Sequence, residues 1–362
     1  MKLIREQNSK EEKMYDFLTI GSATQDVFIQ SDVASIVTVS QMAKKSEFMS
    51  FPYGAKTEIA DFTKSLGGGA VNTASNLANL GMKTTTIIKL GNDELNNIIK
   101  LKLAKSGIDI MNIIDSEKYL TGFSIILVSF QGDRTVLAHR GANAHVSESE
   151  INFEAIKKSR WVYVSPLSGD SNKVLDKIAN FCQENKINLA INAGTTALKK
   201  GAKYFSKILT TAQIVVMNKE EASLVTKIQV RPDTKETKYS SMEIHPDMVD
   251  MLKCLKGNCE TIVVITDGKN GSYCYDGKKI YLCSPYPASV VSTLGAGDAF
   301  SSTFCATIDK YDRDIIKALK FATVNSASVC EHFGAQQGFL TFDEIEEKLK
   351  QSKDFEVKVI NA

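Results

Sequence analysis

The chain has little net charge and no long hydrophobic run. Its 362 residues include 44 Lys and Arg against 42 Asp and Glu, so no overall positive field favours nucleic acid or anionic lipid. Apolar runs such as 125–128 and 262–265 are far shorter than the ~20 residues needed to cross a bilayer. Residues 1–13 are charged and lack the apolar segment of a secretory signal. We therefore expect a cytoplasmic protein that acts on small molecules, with no nucleic-acid or membrane partner.

Cysteine and histidine patterns that bind metals are also absent from the sequence. The seven cysteines are an odd number without a C-x-x-C pair, and the four histidines include no H-x-x-x-H pair. This scatter argues against a zinc site and against a disulfide framework. Most of the cysteines are expected to be reduced and buried.

Short apolar segments alternate with helical patterns along most of the chain. Helices are expected near 70–80 and 95–106, each followed by a glycine that can cap it, and at capping boxes beginning at Ser147 and Thr341. Nearly all of the predicted strands are apolar throughout, which is typical of buried parallel strands. They lie at 17–20, 85–90, 161–164, 188–191, 214–217 and 261–266. This order predicts an α/β fold with a Rossmann-type, mainly parallel sheet flanked by helices.

Two stretches interrupt this alternation. Residues 26–65 and 121–140 have the pattern of extended segments with turns, and the second is predicted to form a hairpin around a turn at 131–133. Such strands usually form a small separate sheet, which can cover a ligand beside the strand ends of the core. We therefore expect a β-lid within one domain of residues 14–340, followed by a C-terminal helix and tail at 341–362.

The strongest local motif is STLGAGDAF at residues 292–300, which precedes a helical pattern. Small residues before a helix leave backbone N–H groups free, and these groups with the helix dipole form an anion site suited to phosphate. Asp298 falls in the first helical turn and would face that anion. The alternative is that Asp298 only caps the helix.

A second glycine cluster, GGGAVN at residues 67–72, also begins a predicted helix. Gly67 and Gly68 would allow a ligand to approach the backbone, and Asn72 can both donate to and accept from hydroxyl groups, which suits a polyol. The alternative is a tight turn in which Asn72 satisfies the backbone.

Other nucleotide-binding motifs are excluded by direct inspection. The sequence contains no G-x-x-x-x-G-K-[ST] loop, and Phe300 stands where a G-x-G-x-x-G fingerprint would need its third glycine. Protein-kinase signatures are missing too, since Gly141 and not Asp follows His139 and Arg140.

Together the two glycine motifs resemble the signatures of the PfkB/ribokinase family of carbohydrate kinases. Residues 67–74 are similar to the N-terminal signature G-G-x-x-x-N-x-A, and residues 293–298 to the C-terminal signature D-T-x-G-A-G-D. The resemblance extends from about residue 16 to residue 341. It implies ATP-dependent phosphoryl transfer to a hydroxymethyl group of a sugar or nucleoside, a ribokinase-like core, and a β-lid that can serve as a homodimer interface.

The resemblance also implies a role for each matching residue. Asp298 would be the general base. The anion hole would consist of Gly295, Ala296 and Gly297. The substrate-binding residues would be Asp26, Gly67, Gly68 and Asn72.

On the nucleotide side, the resemblance implies ATP and Mg²⁺ as the cofactors. The ATP-binding residues would be Asn192, Asn218, Thr266, Gly268 and Gly334. Asn218 and Glu221 resemble an N-x-x-E element that orders hydrated magnesium, and oxygen ligands that act through water fit this ion. Glu220 is an alternative carboxylate, but its spacing from Asn218 does not match the element.

Three functions remain open, with a ribokinase- or fructokinase-like sugar kinase favoured. A nucleoside kinase such as an adenosine kinase would call for aromatic stacking from the lid, and Phe51, Tyr53 and Phe123 could either stack or form lid core. A catalytically silent sugar-binding regulator is less well supported, because a binding module needs no base beside an anion hole.

The chain departs from the family signature at Ser292, where the family usually has Asp. In ribokinase-like members that Asp helps to bind a monovalent cation. A serine offers only a neutral oxygen, so the departure predicts weak or absent potassium activation.

Overall fold

The computed structural model describes residues 14–30, 34–41, 44–59, 61–128, 134–192, 194, 198, 202–231, 244–257, 260–352 and 354–362. The strands are β1 (Tyr15–Ile20), β2 (Thr24–Gln30), β3 (Ser35–Gln41), β4 (Lys44–Ser50), β5 (Asp61–Gly67), β6 (Thr84–Ile87), β7 (Lys89–Leu90), β8 (Ile114–Asp115), β9 (Gly122–Val128), β10 (Arg134–His139), β11 (Ser159–Val164), β12 (Asn188–Ile191), β13 (Ile214–Asn218), β14 (Ile262–Thr266), β15 (Ser272–Tyr275), β16 (Lys279–Cys283) and β17 (Val357–Asn361). The α-helices are α1 (Gly69–Asn79), α2 (Glu94–Lys105), α3 (Phe153–Lys157), α4 (Leu175–Glu184), α5 (Ala202–Leu209), α6 (Lys219–Thr226), α7 (Pro246–Cys254), α8 (Ala296–Lys310), α9 (Ile315–Cys330) and α10 (Phe342–Gln351).

The central sheet confirms the predicted α/β architecture. Its nine strands lie in the order β17-β16-β15-β14-β13-β12-β11-β1-β6. All pairs from β14 to β6 are parallel, whereas β14 to β17 pair antiparallel. The antiparallel edge was not predicted, and its last strand comes from the C-terminal segment expected to be a tail. Residues 341–362 therefore complete the same sheet as the rest of the chain.

One predicted strand was wrong in its extent. The expected strand at 85–90 is two strands, because the chain leaves the central sheet after Ile87. The carbonyl of Ile88 accepts a hydrogen bond from the amide of Ile114 at 2.9 Å, and β7 then pairs with β8 in a separate two-stranded sheet.

The helix-end signals are mostly confirmed. Gly81 and Gly107, just beyond α1 and α2, have φ of 81° and 74°, the left-handed conformation of a C-terminal cap. The capping box at Thr341 begins α10 as predicted. The box at Ser147 also forms, but it begins only a single 3₁₀ turn, and the following helix starts after Asn152.

The two interrupting stretches form the predicted separate sheet. Strands β10, β9, β2 and β5 lie side by side in that order, with β9 and β10 as the expected antiparallel hairpin. The hairpin turn at 131–133 lies outside the described residues. Strands β3 and β4 form a further two-stranded sheet, and residues 51–59 connect it to β5 without a strand or helix. We call the four-stranded sheet the lid sheet.

Hydrophobic side chains cover both faces of the central sheet. On one face α4, α5, α6 and α7 pack against it, and on the other α8, α9 and α10 do so. None of the helices in the described ranges has the length and apolar character needed to cross a membrane. The six described cysteines are free thiols, four of them buried, as expected, and Cys259 lies outside the described residues.

Candidate active site

The two glycine motifs meet at the start of helices α1 and α8. Asn72, in the first turn of α1, donates a hydrogen bond from Nδ2 to Oδ2 of Asp298, in the first turn of α8, at 2.8 Å. Asn72 is buried, while Asp298 is partly exposed. The Asn72 amide is therefore engaged with a carboxylate of the other motif and not with the backbone of a turn.

The surroundings of Asp298 make its carboxylate a stronger base than usual. Burial raises the pKa of Asp298 to about 6, and the negative charge of Glu221 acts in the same direction. The hydrogen bond from Asn72 opposes this by stabilising the ionised form. At neutral pH Asp298 is thus largely ionised, yet it accepts a proton more readily than an exposed aspartate.

The predicted anion hole lies at the N-terminus of α8. Gly295 has φ of 82°, and a Cβ there would lie 2.4 Å from the carbonyl oxygen of Ala335, so only glycine fits. A Cβ on Gly297 would meet nothing within 4 Å. The amides of Ala296, Gly297 and Asp298 belong to the first turn, where N–H groups have no partner inside the helix. The helix therefore offers donors and open space together.

The space that a side chain would need at Gly67 and at Gly68 is occupied by the protein itself. A Cβ on Gly67 would lie 1.9 Å from Oδ2 of Asp26. Gly68 has φ of 93°, and a Cβ there would lie 2.5 Å from the carbonyl oxygen of Ser22. Two of the predicted substrate-binding residues, Asp26 and Gly67, are thus in direct contact.

Asp26 lies in β2 of the lid sheet and not in a loop after β1. Its side chain is 6% exposed, and Thr24 Oγ1 donates to its Oδ1 at 3.0 Å. Burial raises the pKa of Asp26, while hydrogen bonds from Ser124 and Thr24 oppose the rise. The carboxylate therefore keeps capacity to accept further hydrogen bonds.

A cavity of about 780 Å³ opens beside α8. Three of the predicted ATP-binding residues line it, namely Asn218, Thr266 and Gly268. Ala296 and Gly297 also border it, so the anion hole and the nucleotide-side residues share one cavity. Sequence reasoning did not find its apolar wall, because these residues have no motif. That wall includes Tyr286, Val290, Ala327 and Cys330.

Gly334, which the resemblance assigns to ATP binding, does not line this cavity. A Cβ on Gly334 would lie 3.5 Å from Cβ of Ser65, a residue of the lid sheet. Gly334 thus faces the lid sheet. The next residue, Ala335, packs against Gly295.

Asn218 and Glu221 hold each other in a capping box at the start of α6. The amide of Asn218 donates to the Glu221 carboxylate at 3.0 Å, and the amide of Glu221 donates to Asn218 Oδ1 at 2.8 Å. Burial raises the pKa of Glu221, and the charge of Glu220 adds to the rise. Glu220, and not Glu221, lines the cavity.

Asn192 follows β12 and keeps one oxygen without a partner. Its Oδ1 is buried and makes no hydrogen bond with the described residues. No group of three or more His, Cys, Asp or Glu that could enclose a metal occurs among the described residues.

Sequence reasoning missed several polar residues that support the site. Gln336 Nε2 donates to Asn72 Oδ1 at 3.1 Å. One turn after Asn72, the fully buried Asn76 donates to Thr303 Oγ1 at 2.9 Å and accepts from Asn325 at 2.9 Å. The four-residue spacing from Asn72 could have indicated that Asn76 shares its helix face, whereas Gln336 had no sequence signal.

Comparison with known proteins identifies the family. Residues 33–341 match the pfkB family of carbohydrate kinases. The chain is 23% identical over 298 residues to the 5-dehydro-2-deoxygluconokinase of Bacillus licheniformis, which covers 79% of this chain and 87% of that protein. It is 24% identical over 291 residues to the ribokinase of Haemophilus influenzae, covering 79% and 88%.

Solved structures establish the same fold. The ribokinase of Arabidopsis thaliana complexed with ribose and ATP superposes with a TM-score of 0.73 at 19% identity, covering 93% of this chain and 99% of that one. The nucleoside kinase of Methanocaldococcus jannaschii gives a TM-score of 0.72 at 20% identity, covering 94% and 99%. The chain therefore belongs to the pfkB family of carbohydrate kinases and is an ATP-dependent sugar or nucleoside kinase of that family.

Proposed function

We propose that the protein transfers the γ-phosphate of ATP to a hydroxymethyl group of a neutral sugar, with Asp298 as the general base. The observation that carries this proposal is the position of Asp298. Its carboxylate, with a pKa of about 6, lies in the first turn of a helix whose N-terminus borders a cavity of about 780 Å³. A base of this strength is ionised at neutral pH and can accept a hydroxyl proton as the oxygen attacks phosphorus.

In the proposed reaction the acceptor oxygen forms a bond to the γ-phosphorus while the bond to the bridging oxygen of ADP breaks. The acceptor proton passes to Asp298. Amide donors in the first turn of α8 stabilise the charge on the transferring group, and the left-handed Gly295 sets the direction of that turn. The protein has little covalent chemistry to perform, so alignment of the reactants and stabilisation of the phosphate charge supply most of the rate acceleration.

The lid sheet supports a neutral acceptor with several hydroxyl groups. Its register places Ser65 and Ser124 on either side of Asp26, with all three side chains on the same face. The two adjacent rows on this face contain Gly67, Thr24, Gly122, Thr63, Phe28, Ile126 and Val136. Apart from Asp26, the residues that this register places on the three rows are uncharged, and the face offers hydroxyl groups and one carboxylate to an acceptor. Closure of the lid over the sugar would exclude water and so limit ATP hydrolysis.

The residues on the nucleotide side fit a hydrated magnesium ion. The negative charge of Glu221 adds to the effect of burial on the pKa of Asp298, and a cation beside Glu221 would offset that charge. We therefore assign the ion to Asn218 and Glu221 acting through water. When bound, magnesium neutralises charge on the phosphate oxygens.

A nucleoside acceptor is the second candidate, favoured by exposed aromatic residues beside the lid. Tyr53 is fully exposed and Phe51 is 37% exposed, so neither belongs to a lid core and both are free to stack on a base. An ATP-consumption assay with a panel of neutral sugars, the corresponding sugar acids and nucleosides separates the candidates. The proposal predicts the highest kcat/KM for a neutral sugar, and a preference for nucleosides would replace it with the second candidate.

A homodimer through the lid is also proposed. Phe62 and Leu137 of the lid sheet and Phe48 of the adjacent hairpin are each more than half exposed, an apolar surface that a second copy could cover. Light scattering of the protein at micromolar concentration tests this, and a monomeric mass would contradict it.

A further inference from the structure

Asn72 is the middle member of a chain of three hydrogen-bonded side chains. Gln336 Nε2 donates to Asn72 Oδ1 at 3.1 Å, and Asn72 Nδ2 donates to Asp298 Oδ2 at 2.8 Å. Asn72 is 4% exposed, so each end of its amide needs a protein partner. Asp298 accepts from the Asn72 NH₂ group, and Gln336 donates to the Asn72 oxygen.

The direction of this chain is fixed by chemistry. An ionised carboxylate can only accept, so Asn72 must present its NH₂ group to Asp298 and its oxygen to Gln336. If Asn72 turned by 180°, its oxygen would face the carboxylate and repel it. A hydrogen-bond donor at position 336 therefore fits the Asn72 orientation in which the NH₂ group of Asn72 donates to Asp298.

The two residues before Gln336 contact other parts of the candidate site. Ala335 is 1% exposed and packs so closely on Gly295 that no side chain fits there. Gly334 has φ of 100° and faces Ser65 of the lid sheet. Gln336 thus belongs to a segment that touches the predicted anion hole on one side and the lid on the other.

We propose that Gln336 is a positioning residue of this site: its N–H group holds Asn72 in the orientation in which Asn72 donates to Asp298. The catalytic consequence rests on the proposed function, while the hydrogen-bonded chain itself can be measured in the unliganded protein. Gln336 touches neither the reacting atoms nor the phosphate in this account and acts through Asn72.

Loss of the Gln336 donor should make Asp298 harder to ionise, because the hydrogen bond from Asn72 is what lowers its pKa against burial. Within the described part of the chain, the other titratable groups that interact electrostatically with Asp298 are Glu221, at the start of α6, and Tyr163, in β11. Burial raises the pKa of Tyr163 well above its usual value, so Tyr163 stays neutral throughout the range of the test.

The test compares Gln336→Met, which keeps the length but removes the donor, with Gln337→Met, the same change at the exposed neighbouring position. The kcat/KM for D-ribose or D-fructose, whichever reacts faster, is measured from pH 5 to pH 9. For Gln336→Met we expect the acid limb to move up by about 0.5–1 pH unit, with a loss of about fivefold at pH 5.5. At pH 8.5 the activity should return to within about twofold of the unmodified protein, since Asp298 is ionised again. Gln337→Met should overlay the unmodified profile.

A loss that is equal at every pH, or an unshifted acid limb, would overturn the inference. A second readout does not depend on turnover: ¹³C-carboxyl NMR titration of Asp298, assigned by the loss of its signal in Asp298→Asn. We expect its midpoint to rise in Gln336→Met and to stay unchanged in Gln337→Met. If the protein phosphorylates no acceptor, the proposed function fails, and this titration still decides whether Gln336 acts on Asp298.

Discussion

Gly67 has no side chain because the carboxylate of Asp26 occupies the space: a Cβ on Gly67 would lie 1.9 Å from Asp26 Oδ2. This glycine thus makes room for a buried carboxylate that accepts hydrogen bonds from the hydroxyl groups of Thr24 and Ser124. Such a group is costly for folding and useful for binding, because its oxygens remain available to a substrate.

Asp26→Asn should therefore bind the sugar less well and fold more stably. The pKa of Asp26 is raised by burial, so its ionised form weakens the folded state once the pH rises above the unfolded pKa of about 3.9. We expect the KM for the sugar to rise at least about tenfold, with the KM for ATP nearly unchanged, since a charge-assisted hydrogen bond is lost.

The melting temperature of Asp26→Asn should exceed that of the unmodified protein at pH 7, and the difference should shrink as the pH falls toward 4. Asp61→Asn, an exposed change on the same sheet, is the control and should alter neither property. Equal losses for the sugar and for ATP would show that Asp26 does not act on the acceptor.

Gly297→Ala should separate stability from activity. A Cβ at this position meets no atom within 4 Å, and alanine favours a helix over glycine by up to about 1 kcal/mol. We expect an equal or higher melting temperature but a loss of at least about tenfold in kcat, because the methyl group enters the proposed phosphate site.

Gly295→Ala is the contrasting variant, since its Cβ would lie 2.4 Å from the Ala335 carbonyl oxygen at a φ of 82°. It should lower the melting temperature. Full activity of Gly297→Ala would place the phosphate away from the start of α8.

Glu221→Gln tests the assignment of magnesium. Glutamine can still accept from the amide of Asn218, so the capping box should survive while one negative charge is lost. We expect the magnesium concentration for half-maximal rate to rise several-fold. Glu220→Gln, at the carboxylate that lines the cavity, is the matched variant. A larger effect from Glu220→Gln would reverse the assignment.

Ser292 offers a test of the departure from the family signature. It is 9% exposed, and its Oγ accepts from the amide of Leu294 at 3.3 Å. We expect no saturable activation of the unmodified protein by KCl, with choline chloride holding the ionic strength constant. Ser292→Asp should gain activation, and its melting temperature should rise with KCl but not with choline chloride. A several-fold activation of the unmodified protein would mean that another group replaces the missing carboxylate.

The sequence predicted the core of the fold better than its edges. Strands β12 and β14 are apolar except for Asn188 at the start of β12 and Thr266 at the end of β14, and this pattern identified them within about a residue. The antiparallel strands β15 to β17 were missed, because short edge strands mix polar and apolar residues and resemble loops. The division between β6 and β7 depends on the pairing of Ile88 with Ile114, a tertiary contact that local patterns do not contain.

The same limit applies to the candidate site. Glycine-rich motifs indicated Asp298, Asn72 and the start of α8, because a tight turn before a helix leaves a local signature. Gln336 lies 264 residues after Asn72 in the sequence, and only the fold brings the two side chains together. Gly334 was assigned to ATP binding from the family resemblance, and in the fold it faces Ser65 of the lid sheet.

The most direct test of the account is the kcat of Asp298→Asn in ATP-dependent phosphorylation of the preferred sugar. The change keeps the size of the side chain but removes the proton acceptor, so kcat should fall at least ~10²-fold while the KM for the sugar changes little. Removal of the negative charge should also raise the melting temperature at pH 7, because the folded-state pKa of about 6 lies above the unfolded value. A variant that keeps more than about a tenth of the kcat would contradict the role of Asp298 as the general base.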